Sequence, residues 1–184
     1  VLAQSLEKSG IQVIAGDMRD KGKIDTDNID LIVIGSPVFY YDTPDFVKEY
    51  LASLPDLKGM PVAAYVTFGG PEGNQHNAAC SILDGLAQKN GVPVGLDAYM
   101  SISSYSITYE PDGKDPVTGK NTILPDAATY KRVREYARQI QSQVEKSRAT
   151  VFNKSLTLRE SLTVFDLDYW VKTAVDNHSI IKEN

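Results

Sequence analysis

The feature that most constrains the fold is a short run of apolar, β-branched residues that recurs along the chain between segments of helical periodicity. The clearest run, 31–35, contains no charged or polar side chain and predicts a strand covered on both faces. Runs at 11–15 and 61–68 and a longer one within 92–105 predict three more strands. Short apolar strands that alternate with amphipathic helices are typical of an α/β fold with a parallel sheet between two layers of helices.

Four segments carry apolar residues at helical spacing and predict the helices of this fold. The first occupies 1–9 and is stopped by Gly10. A second follows Thr43, which is a good N-cap residue, and Pro44, which suits the first helical position. The remaining two are predicted around residues 79–90 and 130–144. With these elements in place, the strands at 31–35, 62–68 and 94–103 are expected to be parallel and adjacent in that order.

Composition excludes several classes of function. The 184 residues include one cysteine and two histidines, which excludes a disulfide framework and a multi-cysteine metal centre. The net charge of −5, with no long basic run, makes nucleic acid or an anionic membrane an unsuitable partner. No apolar run approaches the roughly 18 residues of a membrane span. We expect a cytoplasmic protein, and we expect the lone Cys80 to be a small buried hydrophobic residue.

A polar and aromatic loop at 36–43 follows the strand at 31–35. A partly exposed aromatic side chain beside backbone N–H groups could cover a planar ring, with the backbone holding the edge of the ring. Alternatively, Phe39, Tyr40 and Tyr41 simply pack between the strand and the next helix. The pattern alone leaves both interpretations open.

A glycine-rich loop at 67–76 follows the strand at 61–68. Its glycines allow close approach of a ligand to the backbone, and Asn74 and Gln75 offer amide groups. The alternative is an ordinary exposed turn between a strand and a helix. The loop is not a nucleotide-binding P-loop, because no Gly-Lys-Ser/Thr sequence follows it. Both loops leave the same edge of one sheet, so both can face one ligand.

At these two loops the sequence resembles the flavodoxin-like family, over about residues 1–146. The resemblance implies a three-layer flavodoxin-like fold that binds FMN, with the isoalloxazine ring held mainly by backbone groups of the two loops. His76, at the start of the next helix, would reach the ring edge or the phosphate, or else would be an ordinary solvated residue. Residue by residue, the resemblance assigns cofactor binding to Ser36, Pro37, Val38, Phe39, Tyr40, Thr67, Phe68, Gly69, Gly70, Gly73, Asn74 and His76.

The beginning of the chain departs from this family. The family's first strand and its Ser/Thr-rich phosphate loop would precede the first helix, and nothing in the sequence corresponds to them. We therefore expect the domain at 1–146 to be N-terminally incomplete, without the phosphate loop and a central strand. Residues 11–15 should then either leave a gap beside 31–35 or pair with it. Residues 147–184 are too apolar for a disordered tail, and are expected to pack on the domain or to lead into a further module, such as a ferredoxin.

The resemblance implies FMN-dependent electron transfer with a redox partner protein such as a ferredoxin or a reductase. Asp42 and Glu72 near the ring would lower the flavin potential, and no side chain need act as a catalytic acid or base. One alternative is an FMN-dependent NAD(P)H:quinone or small-molecule reductase. Another is a flavin-free interaction domain on the same fold. The sequence predicts no oligomeric state.

Overall fold

The computed structural model describes residues 1–20, 28–69, 75–101 and 124–147. Within these ranges the chain forms four α-helices, three β-strands and a short 3-10 helix at Met18–Asp20. The helices are α1 (Leu2–Lys8), α2 (Asp45–Ser53), α3 (His76–Gln88) and α4 (Ala127–Ser147), and the strands are β1 (Ile32–Pro37), β2 (Pro61–Phe68) and β3 (Val92–Met100).

The three strands form one parallel sheet in the order β1-β2-β3. Its register brings Ile34 opposite Ala64, and Ala64 opposite Leu96 on the other side. The predicted order and parallel direction of the three strands are therefore confirmed. β3 ends at Met100, and residues 102–105 of the predicted strand lie outside the described residues.

The strand predicted at 11–15 is wrong, because the structure has no strand there. Ile11 and Val13 instead pack against the apolar cluster that also contacts Val33 of β1, while Ile14 is 82% exposed. Within the described chain β1 pairs only with β2, so the expected alternative of pairing between 11–15 and β1 is not formed. The alternation of apolar residues here serves packing rather than a hydrogen-bonded ladder.

Each face of the sheet is covered by its own pair of helices. α2 and α3 pack on one face, and α1 and α4 pack on the other. Both faces of the strands are therefore apolar, as a parallel sheet requires. The described residues thus form a mixed α/β fold with a three-stranded parallel sheet between helices. The first core is built around Val47, Leu51, Ile82, Leu83 and Leu86, and the second around Leu6, Ala63, Val94, Tyr136 and Ile140.

Close packing of α4 on the sheet depends on Gly95. A Cβ atom at this position would overlap the Ile140 side chain and crowd the ring of Tyr136. The β2–β3 register shifts between Val62 and Ala63, opposite this glycine. The Tyr136 hydroxyl donates a 2.7 Å hydrogen bond to the Ala64 carbonyl, which fixes the helix to the strand through a buried contact. β3 continues through Gly95, and the missing side chain at this position admits the helix.

Candidate functional site

The two loops predicted to bind a ligand leave adjacent strands at the same edge of the sheet. Pro37 at the end of β1 lies opposite Thr67 of β2. Beyond the end of β1, Val38 N–H still donates to the Thr67 carbonyl at 2.9 Å. Beyond β3, Ser101 N–H donates to the Phe68 carbonyl at 2.7 Å. The backbone at this edge is thus hydrogen-bonded across all three strands, and a ligand there would meet a rigid frame.

A tight turn at 39–42 is the most unusual backbone feature of this edge. The N–H of Phe39 donates to the Asp42 carbonyl at 2.9 Å, and Asp42 N–H donates back to Phe39 at 3.0 Å. The two central residues, Tyr40 and Tyr41, have φ angles of 50° and 69°. Left-handed backbone costs an L-residue about 1–2 kcal/mol, so a turn built from two tyrosines is strained. Such strain concentrates at functional sites, where the surroundings hold it in place.

The aromatic side chains of this turn are exposed. Phe39 is 56% exposed, Tyr40 is 97% exposed and Tyr41 is 62% exposed. The alternative in which the three pack between β1 and α2 is therefore wrong. Large apolar surfaces in contact with water are usually hidden or used for binding. The turn accordingly offers flat aromatic surface to a ligand, as the first interpretation requires.

Asp42 closes the turn and carries its charge. Its Oδ1 accepts the Thr43 N–H at 2.7 Å, and its Oδ2 accepts Lys48 Nζ of α2 at 2.5 Å. Partial burial of the Asp42 carboxyl opposes ionisation, but the hydrogen bonds from Lys48 and from Thr43 N–H outweigh it. The pKa of Asp42 is consequently below its ordinary value, and the same hydrogen bond raises the pKa of Lys48. The carboxylate predicted to lower a flavin potential is thus paired with a cation.

Thr43 joins the first loop to the helix that follows the second. Its hydroxyl donates to the Ala78 carbonyl of α3 at 3.1 Å and lies 3.0 Å from the Ser81 hydroxyl. The prediction that Thr43 caps α2 is wrong: the N-cap residue is Pro44, with no side-chain cap hydrogen bond. A threonine can cap a helix only with its hydroxyl turned to the helix N–H groups, and this hydroxyl is used in the buried contact with α3 instead.

Within the first loop, side chains and backbone face different surroundings. Ser36 is buried, and its hydroxyl donates to the Pro37 carbonyl at 2.8 Å. Val38 packs against the core formed with α2 and α3. At this edge the first loop therefore exposes mainly the backbone of 36–38 and the side chains of Phe39 and Tyr40.

The second predicted loop is described only at its two ends. Thr67 is half-buried, whereas the Phe68 side chain lies in the core, so only the Phe68 backbone is placed at the edge. Gly69 is also described, and Gly70, Glu72, Gly73 and Asn74 lie outside the described residues. The side chain of His76, the first residue of α3, is fully buried, so the alternative of a solvated His76 is wrong.

A second polar cluster, which was not predicted, lies on the α4 face of the sheet. Arg132 Nη2 of α4 donates to Asp97 Oδ1 at 2.7 Å and to the Ala98 carbonyl at 3.1 Å. The Arg132 guanidinium also lies 5.4 Å from the ring centre of Tyr99, which is itself 6.2 Å from that of Tyr65. Asp97 and Tyr99 are two residues apart, so they share a face of β3, and this spacing was the available signal.

Burial controls the ionisable groups of the core. Burial, followed by the charge of Asp97, raises the pKa of Tyr99 above its ordinary value. Burial likewise raises the pKa of the Cys80 thiol to about 12, and the nearby Asp84 adds to the effect. Cys80 is buried, as predicted. A thiol that stays protonated is a poor nucleophile, so Cys80 acts as a packing residue.

Neither the composition of the described residues nor similarity to known proteins identifies a function. The described ranges contain no group of three or more His, Cys, Asp or Glu residues placed to hold a metal ion. Among the same residues, no helix has the length and apolar character needed to cross a membrane. No protein-family model matches the chain, and no curated protein matches it significantly. The site therefore has to be interpreted from its own geometry.

Proposed function

We propose that this chain is an FMN-binding electron-transfer domain of flavodoxin-like fold, and that it holds the isoalloxazine ring at the carboxyl ends of β1 and β2. The observation that carries the proposal is the strained, exposed Tyr40–Tyr41 turn, which directly follows a buried parallel strand. Open α/β sheets bind their ligands at this edge. The three-stranded parallel sheet between helices supports the fold at a coarser level.

The turn suits a planar, polar-edged ring. Tyr40 provides an aromatic surface, and offset stacking on such a surface contributes about 0.5–1.5 kcal/mol. Among the residues that the structure describes, the backbone N–H groups of Tyr40 and Tyr41 make no hydrogen bond. These donors are available to carbonyl and nitrogen acceptors on the edge of the ring. The proposal concerns the ring of FMN, and it assigns no described residue to the phosphate.

FMN, when bound, supplies the redox chemistry, and the protein binds and orients the cofactor. Thr43 and the strand-end hydrogen bonds hold the first loop against α3 and β2. Lys48 offsets the charge of Asp42, which limits the fall in flavin potential that an unpaired carboxylate would cause. On this proposal the partner is a redox protein such as a ferredoxin or a reductase. A cytoplasmic location stays a prediction.

The reductase alternative uses the same ring site and adds a substrate beside it. Tyr41, 62% exposed next to Tyr40, is a surface against which a flat quinone could lie. Steady-state oxidation of NAD(P)H by the FMN-loaded chain, with and without a quinone, separates a reductase from an electron carrier. An interaction domain without flavin would bind no FMN, and it would therefore show no FMN-dependent oxidation of NAD(P)H with or without a quinone.

Replacement of Tyr40 tests the proposed site directly. We expect Tyr40→Ala to weaken FMN binding by up to about tenfold, because one stacking surface is lost while the backbone contacts remain. The measurement is titration of FMN by quenching of its fluorescence, with circular dichroism to check folding. Tyr130→Ala, at a partly exposed tyrosine of α4, is the matched control and should bind like the unchanged chain.

Two outcomes would contradict the proposal. If the unchanged chain binds no FMN, the cofactor assignment fails. If it binds FMN and Tyr40→Ala binds equally well, the ring lies elsewhere and the assignment of this edge fails.

A further inference from the structure

The strained turn needs an interaction from outside itself to keep its conformation. Its two cross-turn hydrogen bonds, between Phe39 and Asp42, close the loop but do not remove the cost of left-handed backbone at Tyr40 and Tyr41. Asn and Gly are the residues that normally occupy both central positions of such a turn. Strained backbone of this kind persists where neighbouring structure over-determines it.

Helix α2 contacts the turn through one ion pair. Asp42 Oδ2 accepts Lys48 Nζ at 2.5 Å, while Asp42 Oδ1 accepts the N–H of Thr43 at 2.7 Å. The backbone of Lys48 is fixed in turn, because its N–H donates to the Pro44 carbonyl at 3.3 Å in the first turn of the helix. A second carboxylate, Asp45, lies 3.9 Å from the same Nζ but is 94% exposed, so Asp42 is the better-placed partner.

We propose that Lys48 is a positioning residue, which holds the Tyr40–Tyr41 turn in its ligand-facing conformation through Asp42 and sets the net charge beside the bound ring. The inferred effect of Lys48 on the ligand rests on the proposed FMN site. The inferred effect of Lys48 on the turn does not depend on that site. Lys48 touches no ligand itself. It acts on the geometry of the turn through one hydrogen-bonded ion pair, and on the flavin through the charge that this pair cancels.

Two substitutions separate these effects because they leave opposite charges behind. Lys48→Met breaks the ion pair and leaves the carboxylate of Asp42 uncompensated. Asp42→Asn also breaks the ion pair and keeps an acceptor for Thr43 N–H. It removes the negative charge beside the turn, so that Lys48 keeps only its longer contact with Asp45. Both changes loosen the turn. A negative charge near the flavin disfavours the arrival of an electron, and a positive charge favours it.

The first measurement is amide hydrogen exchange of Phe39 and Asp42, read by NMR on the full chain without cofactor. Both side chains of the ion pair are partly exposed, Lys48 to 47% and Asp42 to 40%. Exposed ion pairs stabilise by up to about 1 kcal/mol, so both variants should exchange these two amides about two- to fivefold faster. Lys48→Arg keeps a cation for Asp42, so the two amides should exchange at the rate seen in the unchanged chain. Lys8→Met, which removes a lysine of α1 on the other face of the sheet, should leave it unchanged.

The second measurement is FMN affinity and midpoint potential. Both variants should bind FMN about two- to fivefold more weakly, because part of the binding free energy is then used to order the turn. The potential should become more negative in Lys48→Met and more positive in Asp42→Asn, a pair of opposite shifts that a purely structural role would not produce.

The outcomes are distinct. Unchanged exchange of Phe39 and Asp42 in both variants would overturn the positioning role, whether or not FMN binds. Potential shifts of the same sign in the two variants would overturn the charge role. Failure of the unchanged chain to bind FMN would overturn the proposed function, whereas faster exchange in Lys48→Met and Asp42→Asn would still support the effect on the turn.

Discussion

Thr43 holds the first candidate loop against α3 with a single hydroxyl. It is 3% exposed and bonds to the Ala78 carbonyl, close to the start of α3, where the second loop ends. The Ser81 hydroxyl donates to the same carbonyl at 3.0 Å, so the three groups form one small buried network. Networks of this kind give geometric precision because each polar group is satisfied only in one arrangement.

Thr43→Val tests this network without a change of shape. The variant removes the hydroxyl from a buried site, and we expect it to lower the free energy of unfolding by about 1–3 kcal/mol. Urea denaturation followed by circular dichroism measures the change. Ser81→Ala removes one member of the same network and should cost less. Because the two hydroxyls are in contact, the loss in the double variant should differ from the sum of the two single losses by about 0.5 kcal/mol or more. Full additivity would show that the two side chains act independently.

The exposure of the three aromatic residues at 39–41 differs from what their residue types alone predict. Phe39, Tyr40 and Tyr41 form a run of three large aromatic residues, yet the structure turns all three toward solvent. The ordinary expectation for such a run is burial in the core. Local hydrogen bonds between Phe39 and Asp42 set their direction instead, and these bonds depend on backbone angles that no propensity scale assigns to tyrosine.

At the scale of elements, the seating of α4 on the sheet is decided by one glycine of β3. Gly95 leaves room for Ile140 and Tyr136, and the Tyr136 hydroxyl then reaches the Ala64 carbonyl. The ion pair between Arg132 and Asp97, with an 18% exposed carboxylate, ties the same helix to the same strand farther along. The helix is thus held by packing, one buried hydrogen bond and one partly shielded ion pair.

Gly95→Ala should destabilise the fold because the added methyl group meets atoms of α4. Overpacking of this kind costs about 1–3 kcal/mol, which urea or thermal denaturation will detect. Gly16→Ala is the control: no atom lies within 4 Å of a Cβ there, and its effect should stay within about 0.5 kcal/mol. Equal stability of the two variants would mean that α4 does not approach the sheet as closely as described.

At the scale of the whole molecule, the sheet is shared by two separate apolar cores. α2 and α3 complete one core and α1 and α4 complete the other, and the same strands contribute side chains to both. Loss of either core exposes one face of every strand. The two layers of helices should therefore unfold together, as in a single cooperative domain.

Leu83→Ala and Ile140→Ala test this cooperativity from opposite faces. Both side chains are fully buried, so each variant should lose about 2–5 kcal/mol of stability. Far-UV circular dichroism and tyrosine fluorescence should report the same urea midpoint in each variant. Ile14→Ala, at a residue 82% exposed, should leave that midpoint unchanged. Separate midpoints for the two probes would show that the faces unfold independently.

The sequence by itself determined the alternation of elements and the direction of the sheet. The run at 31–35 and its counterparts in β2 and β3 are largely apolar on both faces, and a parallel sheet covered by helices buries both faces of such strands. The spacing of apolar residues in α2, α3 and α4 likewise reflects the one face that each helix buries. These are local properties, repeated over many residues, so the pattern is visible without the fold.

Local sequence patterns gave wrong predictions at two places where the same pattern occurs in more than one structure. The short apolar run at 11–15 is typical of a strand, but Ile11 and Val13 pack on the core without a hydrogen-bonded partner strand. Thr43 has the residue type of a helix cap, but its hydroxyl is used by α3. In both cases a contact with a residue distant in the chain decided the outcome, and such contacts leave no periodic trace in the sequence.

Only the tertiary structure decided how the candidate site is built. The sequence placed the first loop at the end of a strand, but not the left-handed angles of Tyr40 and Tyr41, the exposure of their rings or the ion pair of Asp42 with Lys48. Periodicity reports which side of an element is apolar, because burial is repeated along it. A turn occurs once, and its geometry is set by the sum of hydrogen bonds, charge and packing at that one place.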